Sequence, residues 1–276
     1  MPSTTIAASL QPPRYELIPM KGVDEQLPHL PADAEVTITV SPTRGPDPTL
    51  ELASRVRERG HTVVPHLSAR TFSGRDHVER ALSHLDAIGV DEVFVIAGDP
   101  PEPAGPYEGA ADLLEEFDAL GHRFREVGIA GYPEPHPKIP KEVVVQALKC
   151  KLPYATYLTS QMCYDADAIR TWLADLRERG ITLPVRLGVP GVVDSPRLLR
   201  ISMRVGLGDS VRFLRKQSRM ATKLATGYRP DDLMDELADL LERKDGVAGW
   251  HVYTFNEVER TEAWRRELLA AAATDG

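Results

Sequence analysis

The sequence contains little cysteine, and its two cysteines form no motif that binds metal or performs redox chemistry. Cys150 and Cys163 are the only ones among 276 residues, and they make no CxxC pair. No spacing of cysteine and histidine is typical of a zinc site. The sequence therefore predicts a cytoplasmic protein without a bound metal, in which both thiols are reduced.

Positive charge and long hydrophobic runs are also scarce. Lysine and arginine number 33 against 41 aspartate and glutamate residues, which gives a formal net charge of −8 at pH 7. This balance argues against nucleic acid or an anionic membrane as a partner, although it permits a local basic pocket for a small anion. We expect neither a membrane span nor a signal peptide. Residues 1–13 are expected to be a flexible lead-in.

Short apolar segments alternate with longer amphipathic ones along the rest of the chain. This order predicts an α/β protein with a single (β/α)₈ TIM barrel over 14–276 and extra helices between strands seven and eight. The alternative is an open doubly wound sheet, but no strand is followed by GxGxxG or GxxxxGK[ST]. A helix is predicted over 110–127, and helical pieces over 195–205, 209–225 and 231–244. The predicted strands are 15–18, 36–40, 62–67, 93–97, 127–132, 156–161, 184–188 and 250–255.

The fourth predicted strand ends in a turn that carries a carboxylate. Its five apolar residues run directly into Gly98-Asp99-Pro100-Pro101, which cannot continue a sheet. In α/β proteins, ligands bind at the carboxyl ends of such strands. Taken alone, this motif favours a turn-forming role for Asp99 over ligand binding.

Other predicted strands also end in polar side chains. Such side chains at one end of a barrel are suited to binding a flat heterocycle with many hydrogen-bond donors and acceptors. They are also suited to transferring a proton to that heterocycle. The residues are Glu16, Thr39, His66, Asp99, Tyr132 with His136, Gln161, and Tyr253 with Asn256.

In their order along the chain, these motifs resemble the methylenetetrahydrofolate reductase family. The resemblance extends from about residue 14 to 268, and it implies the same (β/α)₈ barrel. The motifs are Glu16, Pro65-His66-Leu67, Gly98-Asp99-Pro100-Pro101, Gly131-Tyr132-Pro133-Glu134-Pro135-His136-Pro137, Thr159-Ser160-Gln161 and Tyr253-Thr254-Phe255-Asn256.

The resemblance implies roles for these residues in reducing 5,10-methylenetetrahydrofolate to 5-methyltetrahydrofolate. Glu16 matches the acid that protonates the leaving folate nitrogen; partial burial, with Tyr15, Leu17 and Ile18 as apolar surroundings, would raise its pKa. Asp99 matches the carboxylate that holds the pterin, with a catalytic effect on the iminium as well. Gln161, Tyr253 and Asn256 would bind the substrate. A surface ion pair for Glu16 and a structural amide for Gln161 remain the alternatives.

The positions that would hold a flavin differ from the family pattern. The family usually has Arg at the position of Ala97, and Asp, Asn and Arg-Lys on the helix after GYPExHP. Here that helix has Val144, Ala147 and Cys150, and only Lys151 matches. The departures predict a branch without FAD, in which NADH gives its hydride directly and NADPH is not excluded. Cofactor contacts are then predicted at Thr39, His66, Tyr132, His136 and Lys151.

Two alternatives stay open: an FAD-dependent reductase with a rearranged flavin site, and a barrel that binds folate without turning it over. The chain also has Glu257 where the family usually has a basic residue after Asn256. An oligomer is possible. The stretch 195–244 is basic and could contact the folate tail or the cofactor's phosphates, but a solvated helix face is the plainer interpretation. Its basic residues include Arg197, Arg200, Arg204, Arg212, Arg215, Lys216, Arg219 and Lys223.

Overall fold

Eight parallel strands form a closed barrel, in which each strand pairs with its neighbours in chain order and β8 closes onto β1. The computed structural model describes residues 4–41, 43–122, 124–136, 139–194, 197–198, 228–242 and 246–274. The predicted (β/α)₈ barrel is confirmed. The strands are β1 Arg14–Leu17, β2 Glu35–Ile38, β3 Thr62–Ser68, β4 Glu92–Ile96, β5 Glu126–Gly131, β6 Tyr157–Ser160, β7 Val185–Pro190 and β8 Val247–Tyr253.

Helices surround the barrel and bury their apolar faces against it, as their sequence periodicity predicts. None of the helices in the described ranges is both long and apolar enough to cross a bilayer. Short 3₁₀ turns follow α2 (Leu27–His29) and β3 (Ala69–Thr71). The helices are α1 Thr4–Ser9, α2 Val23–Gln26, α3 Asp47–Glu58, α4 Arg75–Ala87, α5 Ala110–Ala119, α6 Lys141–Lys151, α7 Ala166–Glu178, α8 Asp231–Glu242 and α9 Val258–Thr274.

The prediction of one helix over 110–127 was wrong in its second half. α5 ends at Ala119, because Gly121 takes a φ of +70° that only glycine adopts without strain. The His122 N–H then donates to the Phe117 carbonyl across the turn (3.0 Å). Between β7 and β8, α8 confirms an extra helix. The helices predicted over 195–205 and 209–225, and the basic residues they carry, lie outside the described residues except for positions 197–198.

The start of the chain differs from the flexible lead-in expected there. α1 contacts α8 and α9, and Ile6 and Leu10 are each only 1% exposed. Two hydrogen bonds fix this packing: Trp250 Nε1 donates to Ser9 Oγ (2.7 Å) and Arg265 donates to the Leu10 carbonyl (3.1 Å). The difference is explained by the burial of apolar side chains. A helix this short shows no sequence periodicity from which that burial could be predicted.

Alternation along β1 decides which of its side chains enter the barrel. Tyr15 and Leu17 are completely buried under the outer helices, and the Tyr15 hydroxyl donates to Glu262 of α9 (3.0 Å). Because successive side chains on a strand point to opposite faces, Arg14 and Glu16 point into the barrel.

Charged side chains close the end of the barrel where the strands begin. Arg14, 2% exposed, donates to Glu92 Oε1 (2.7 Å), to the Tyr157 hydroxyl (2.6 Å) and to Glu35 Oε2 (3.2 Å). Arg186 lies 3.5 Å from the same Glu35 oxygen. We call these five residues the basal cluster. Their mutual hydrogen bonds offset the cost of burying charge at this depth.

Candidate active site

Glu16 lies inside the barrel near the carboxyl ends of the strands, between two histidines. Its Oε2 is 3.1 Å from Nε2 of His251 on β8 and 3.8 Å from Nε2 of His66 on β3. All three side chains are nearly inaccessible; Glu16 is 9% exposed, His66 5% and His251 2%. The His66 ring also contacts Phe94, with 4.7 Å between the ring centroids.

The surroundings of Glu16 favour its protonated form. Burial raises the pKa of Glu16 to about 7, and only a charged His66 would lower it. Burial lowers the pKa of His66 to about 4. Burial also lowers the pKa of His251 well below its usual range, and the positive charges of Arg14 and Arg186 in the basal cluster lower the pKa of His251 further. Both imidazoles are therefore neutral near pH 7, so Glu16 has no cationic partner to hold it ionised. A carboxyl group in this state can donate a proton at neutral pH.

The turn after β8 fixes the main chain on both sides of Glu16. The Thr254 hydroxyl donates to the Glu16 carbonyl (2.5 Å). The Asn256 side chain accepts from the Ile18 N–H (2.8 Å) and donates to the Ile18 carbonyl (2.9 Å). Phe255 and Asn256 both have positive φ, of 52° and 60°, which is uncommon for residues other than glycine. The strained turn is held by these hydrogen bonds and in turn holds the end of β1.

Tyrosines connect the surroundings of Glu16 to those of Asp99. The Tyr253 hydroxyl donates to the Ser160 carbonyl at the end of β6 (2.9 Å). Burial raises the pKa of Tyr253 well above its usual range, and the nearby Glu16 and Tyr132 raise it further. The pKa of Tyr132 is raised by burial and by Asp99. The charges of Glu16 and Asp99 thus act on two buried tyrosines at the same end of the barrel.

Asp99 differs from Glu16 in exposure. Its side chain lies in the loop after β4 and is exposed, and within the described ranges it makes no hydrogen bond to the protein. The preceding residue, Gly98, lies close to the end of β3. A Cβ atom on Gly98 would be 1.9 Å from Ser68 Oγ. Asp99 is thus an ionisable group at the barrel mouth that a ligand can reach.

The other predicted contacts lie around the same end of the barrel, except for Lys151. Gln161 follows β6 and accepts a hydrogen bond from the Met162 N–H (2.9 Å). Thr39 follows β2 and is half-buried, and its carbonyl accepts from the Thr49 hydroxyl (2.7 Å). His136 packs edge-on against Tyr132, with ring centroids 5.3 Å apart. Lys151 is the last residue of α6, outside the barrel, and burial lowers its pKa to about 8.

Two details of the site differ from the sequence-based expectation. The expected surroundings of Glu16 were wrong for Tyr15 and Leu17, which point away from it; the surroundings come from β3 and β8 instead. His251 was missed, although its spacing of two from Tyr253 places both on one face of β8.

Glu257, at the position where the family pattern has a basic residue, contacts a cation from elsewhere in the chain. Arg197 forms an ion pair with Glu257 and donates to the Phe255 carbonyl (2.7 Å). An acidic residue therefore stands where the family usually has a basic one, and its basic partner comes from another segment of the chain. The ion pair links the turn after β8 to the segment that follows β7. Within the described residues, no group of three or more histidine, cysteine or acidic side chains could hold a metal ion.

Comparison with known proteins agrees with the motifs. The family model of methylenetetrahydrofolate reductase matches residues 28–267, a range that begins after Glu16. Methylenetetrahydrofolate reductase 2 of Saccharomyces cerevisiae is 24% identical over 196 residues, which cover 65% of this chain and 32% of that protein. Methylenetetrahydrofolate reductase (NADH) 1 of Zea mays is 27% identical over 190 residues, covering 62% and 31%.

A third relative is named for the other nicotinamide cofactor. The probable methylenetetrahydrofolate reductase (NADPH) of Caenorhabditis elegans is 24% identical over 158 residues, covering 54% of this chain and 23% of that protein. The chain spans about a third or less of the length of these curated relatives. The family model nevertheless matches most of it, and the chain belongs to the methylenetetrahydrofolate reductase family.

Proposed function

We propose that this protein reduces 5,10-methylenetetrahydrofolate to 5-methyltetrahydrofolate with a hydride taken directly from NADH. The observation that carries the proposal is the buried Glu16, whose pKa of about 7 keeps a proton available at the barrel end that also bears Asp99. Membership of the reductase family supports the same reaction. A barrel that only bound folate would gain nothing from burying a carboxyl group between two neutral histidines.

The proposed reaction begins with proton transfer from Glu16. The proton goes to the folate nitrogen N10, and the bond between N10 and the methylene carbon breaks with its electron pair remaining on N10. The methylene carbon is then part of a 5-iminium cation, which accepts hydride from C4 of the nicotinamide. Glu16, left as a carboxylate, takes a proton from solvent, so one NADH and one proton are consumed in each turnover. The barrel contributes by holding the two reactants at reacting distance.

The exposed carboxylate of Asp99 suits the pterin. We propose that it accepts hydrogen bonds from the ring N–H and amino groups, and that its charge stabilises the iminium. Gln161 and Tyr253 border the same space, and Asn256 has one donor and one acceptor position left beyond its bonds to Ile18. His66 would act through Glu16, which its ring contacts, while Thr39, Tyr132 and His136 would contact the nicotinamide cofactor.

The surface of α6 supports a branch of the family without resident flavin. None of its side chains is fully buried, and the side chains offered are the half-buried Val144 and the exposed Ala147 and Cys150. Methyl groups and a thiol do not fit a ribose and a pyrophosphate, which need hydrogen bonds of about 1.5–3 kcal/mol each. Lys151 remains as a single cation, and burial lowers its pKa to about 8. Ala97 likewise offers no donor from its side chain.

An anaerobic assay of NADH oxidation with methylenetetrahydrofolate, without added flavin, tests the proposal. The purified protein should be colourless in the visible range and active, and added FAD should leave its rate unchanged. Activity only with FAD would establish a rearranged flavin site instead. No activity with or without FAD would indicate a folate-binding barrel without turnover. The same assay with NADPH should give a lower kcat/KM, because we place no group among the described residues that would hold a 2′-phosphate.

A further inference from the structure

The loop that carries Asp99 contains few hydrogen-bond donors of its own. Between β4 and α5, residues 97–109 include four prolines, at positions 100, 101, 103 and 106, and each lacks a backbone N–H. A loop of this composition has fewer backbone N–H groups with which to fix its own shape. Its carbonyl groups need donors from elsewhere.

One side chain from the neighbouring loop supplies those donors. Arg70, in the 3₁₀ turn after β3, donates from Nε to the Pro100 carbonyl (2.8 Å) and from a terminal nitrogen to the Pro101 carbonyl (2.8 Å). Its other terminal nitrogen donates to the Glu108 carbonyl (3.1 Å). The planar guanidinium group therefore bonds both ends of the loop at once, beginning at the residue next to Asp99.

Main-chain contacts at the same place orient the Arg70 side chain. The Arg70 N–H donates to the Ala97 carbonyl (2.9 Å), and the Arg70 carbonyl accepts from the Ala104 N–H (2.9 Å). Gly105 lies directly on the preceding turn, since a Cβ there would be 2.6 Å from the Phe72 carbonyl oxygen. The loop thus rests on the turn after β3 along its whole length.

From these contacts we infer that Arg70 is a positioning residue for folate binding, which acts by holding the Asp99 carboxylate in place at the barrel mouth. The inference rests on the proposed function for the identity of the ligand. It assigns no contact between Arg70 and the ligand, because all three guanidinium nitrogens already bond the loop. The Asp99 side chain makes no hydrogen bond to the described part of the chain, so its position depends on the loop.

Binding of 5-methyltetrahydrofolate, the stable product, tests this inference in single and double variants. Asp99→Asn should weaken binding by about 10- to 100-fold, through loss of charge-assisted hydrogen bonds. Arg70→Met should weaken it by a similar factor, with a larger effect on KM than on kcat. The double variant should bind the folate no more weakly than whichever single variant has the lower affinity, because both changes remove the same contact. Arg70→Lys, which cannot reach three carbonyls as one point charge, should recover only part of the binding.

Arg57 provides a matched control at the other end of the barrel. Its guanidinium donates to the carbonyls of Ile88 (3.2 Å) and His61 (3.1 Å), so Arg57→Met removes similar bonds far from Asp99. That variant should be less stable but bind the folate normally. Wild-type binding by Arg70→Met or Arg70→Lys, or factors that multiply in the double variant, would overturn the inference.

Hydrogen exchange separates this inference from the proposed function. Arg70→Lys should speed amide exchange in residues 97–109, including Ala104, without changing exchange in β4. If the wild-type protein bound no folate, the proposed function would fail while this result stood. If folate bound and exchange in the loop was unchanged in the variant, Arg70 would not hold the loop.

Discussion

Replacing Glu16 with Gln is expected to lower turnover by about 10² or more, as loss of a general acid does, while folate binding stays largely intact. The amide has nearly the same shape as the carboxyl group and can keep a hydrogen bond with His251, but it has no acidic proton to transfer. The measurement is kcat, KM and product affinity in the variant and the wild type. Near-normal turnover would remove Glu16 from the acid role.

The pH dependence of the wild type should report the same group. Because the acid form is required and burial raises the pKa of Glu16 to about 7, kcat/KM should fall as the pH rises through about 7. The Gln variant should lack this fall. Stability provides a control with a defined sign. A folded-state pKa above the ordinary 4.5 means that stability is lost as the pH rises through about 7. The Gln variant should therefore be no less stable than the wild type at pH 8.

Replacing Glu92 with Leu is expected to cost about 3–5 kcal/mol of unfolding free energy, because it leaves the buried Arg14 with an incomplete set of partners. Glu92 is 6% exposed, and its oxygen lies 2.7 Å from the Arg14 guanidinium. The remaining carboxylate, Glu35, is 3.2 Å from Arg14 and is shared with Arg186. Denaturant unfolding measures the change in free energy.

Two further variants test whether the loss of stability arises because the Arg14–Glu92 ion pair is buried, and not from the loss of any ion pair. Asp175→Ala breaks the exposed pair with Arg179 on α7 and should leave the unfolding midpoint almost unchanged. Arg14→Met combined with Glu92→Leu should recover part of the loss, because no unpaired charge then stays buried. A cost for Glu92→Leu no greater than that for Asp175→Ala would contradict the role given to the basal cluster.

The fold could be predicted because the sequence signals that specify it are local. Eight apolar segments alternate with amphipathic ones, and this order predicts parallel strands. The number of strands and the absence of nucleotide-binding motifs then favour a barrel over an open sheet. The strand predictions likewise placed Asp99 and Tyr253 at the carboxyl ends of their strands without knowledge of their neighbours. The end of α5 was harder, since Leu120 and Phe124 continue the helical spacing although they pack from the turn that follows the helix.

Contacts between distant segments could not be predicted from such signals. The surroundings of Glu16 depend on the stagger of β1 against β8, where Glu16 pairs with Tyr253, and the sequence does not state that stagger. The Arg70 contacts join two loops 30 residues apart at Pro100, and no local pattern marks them. The ion pair of Arg197 with Glu257 spans 60 residues in the same way.

Transfer of deuterium from NADH labelled at both C4 positions, in ordinary water and without added flavin, is the most direct test of hydride transfer between nicotinamide and folate. We predict one deuterium atom in the methyl group of the 5-methyltetrahydrofolate formed, because a hydride that moves from carbon to carbon does not exchange with solvent. A product methyl group without deuterium would contradict this account, since it would require an intermediate carrier that holds the hydrogen on an exchangeable nitrogen.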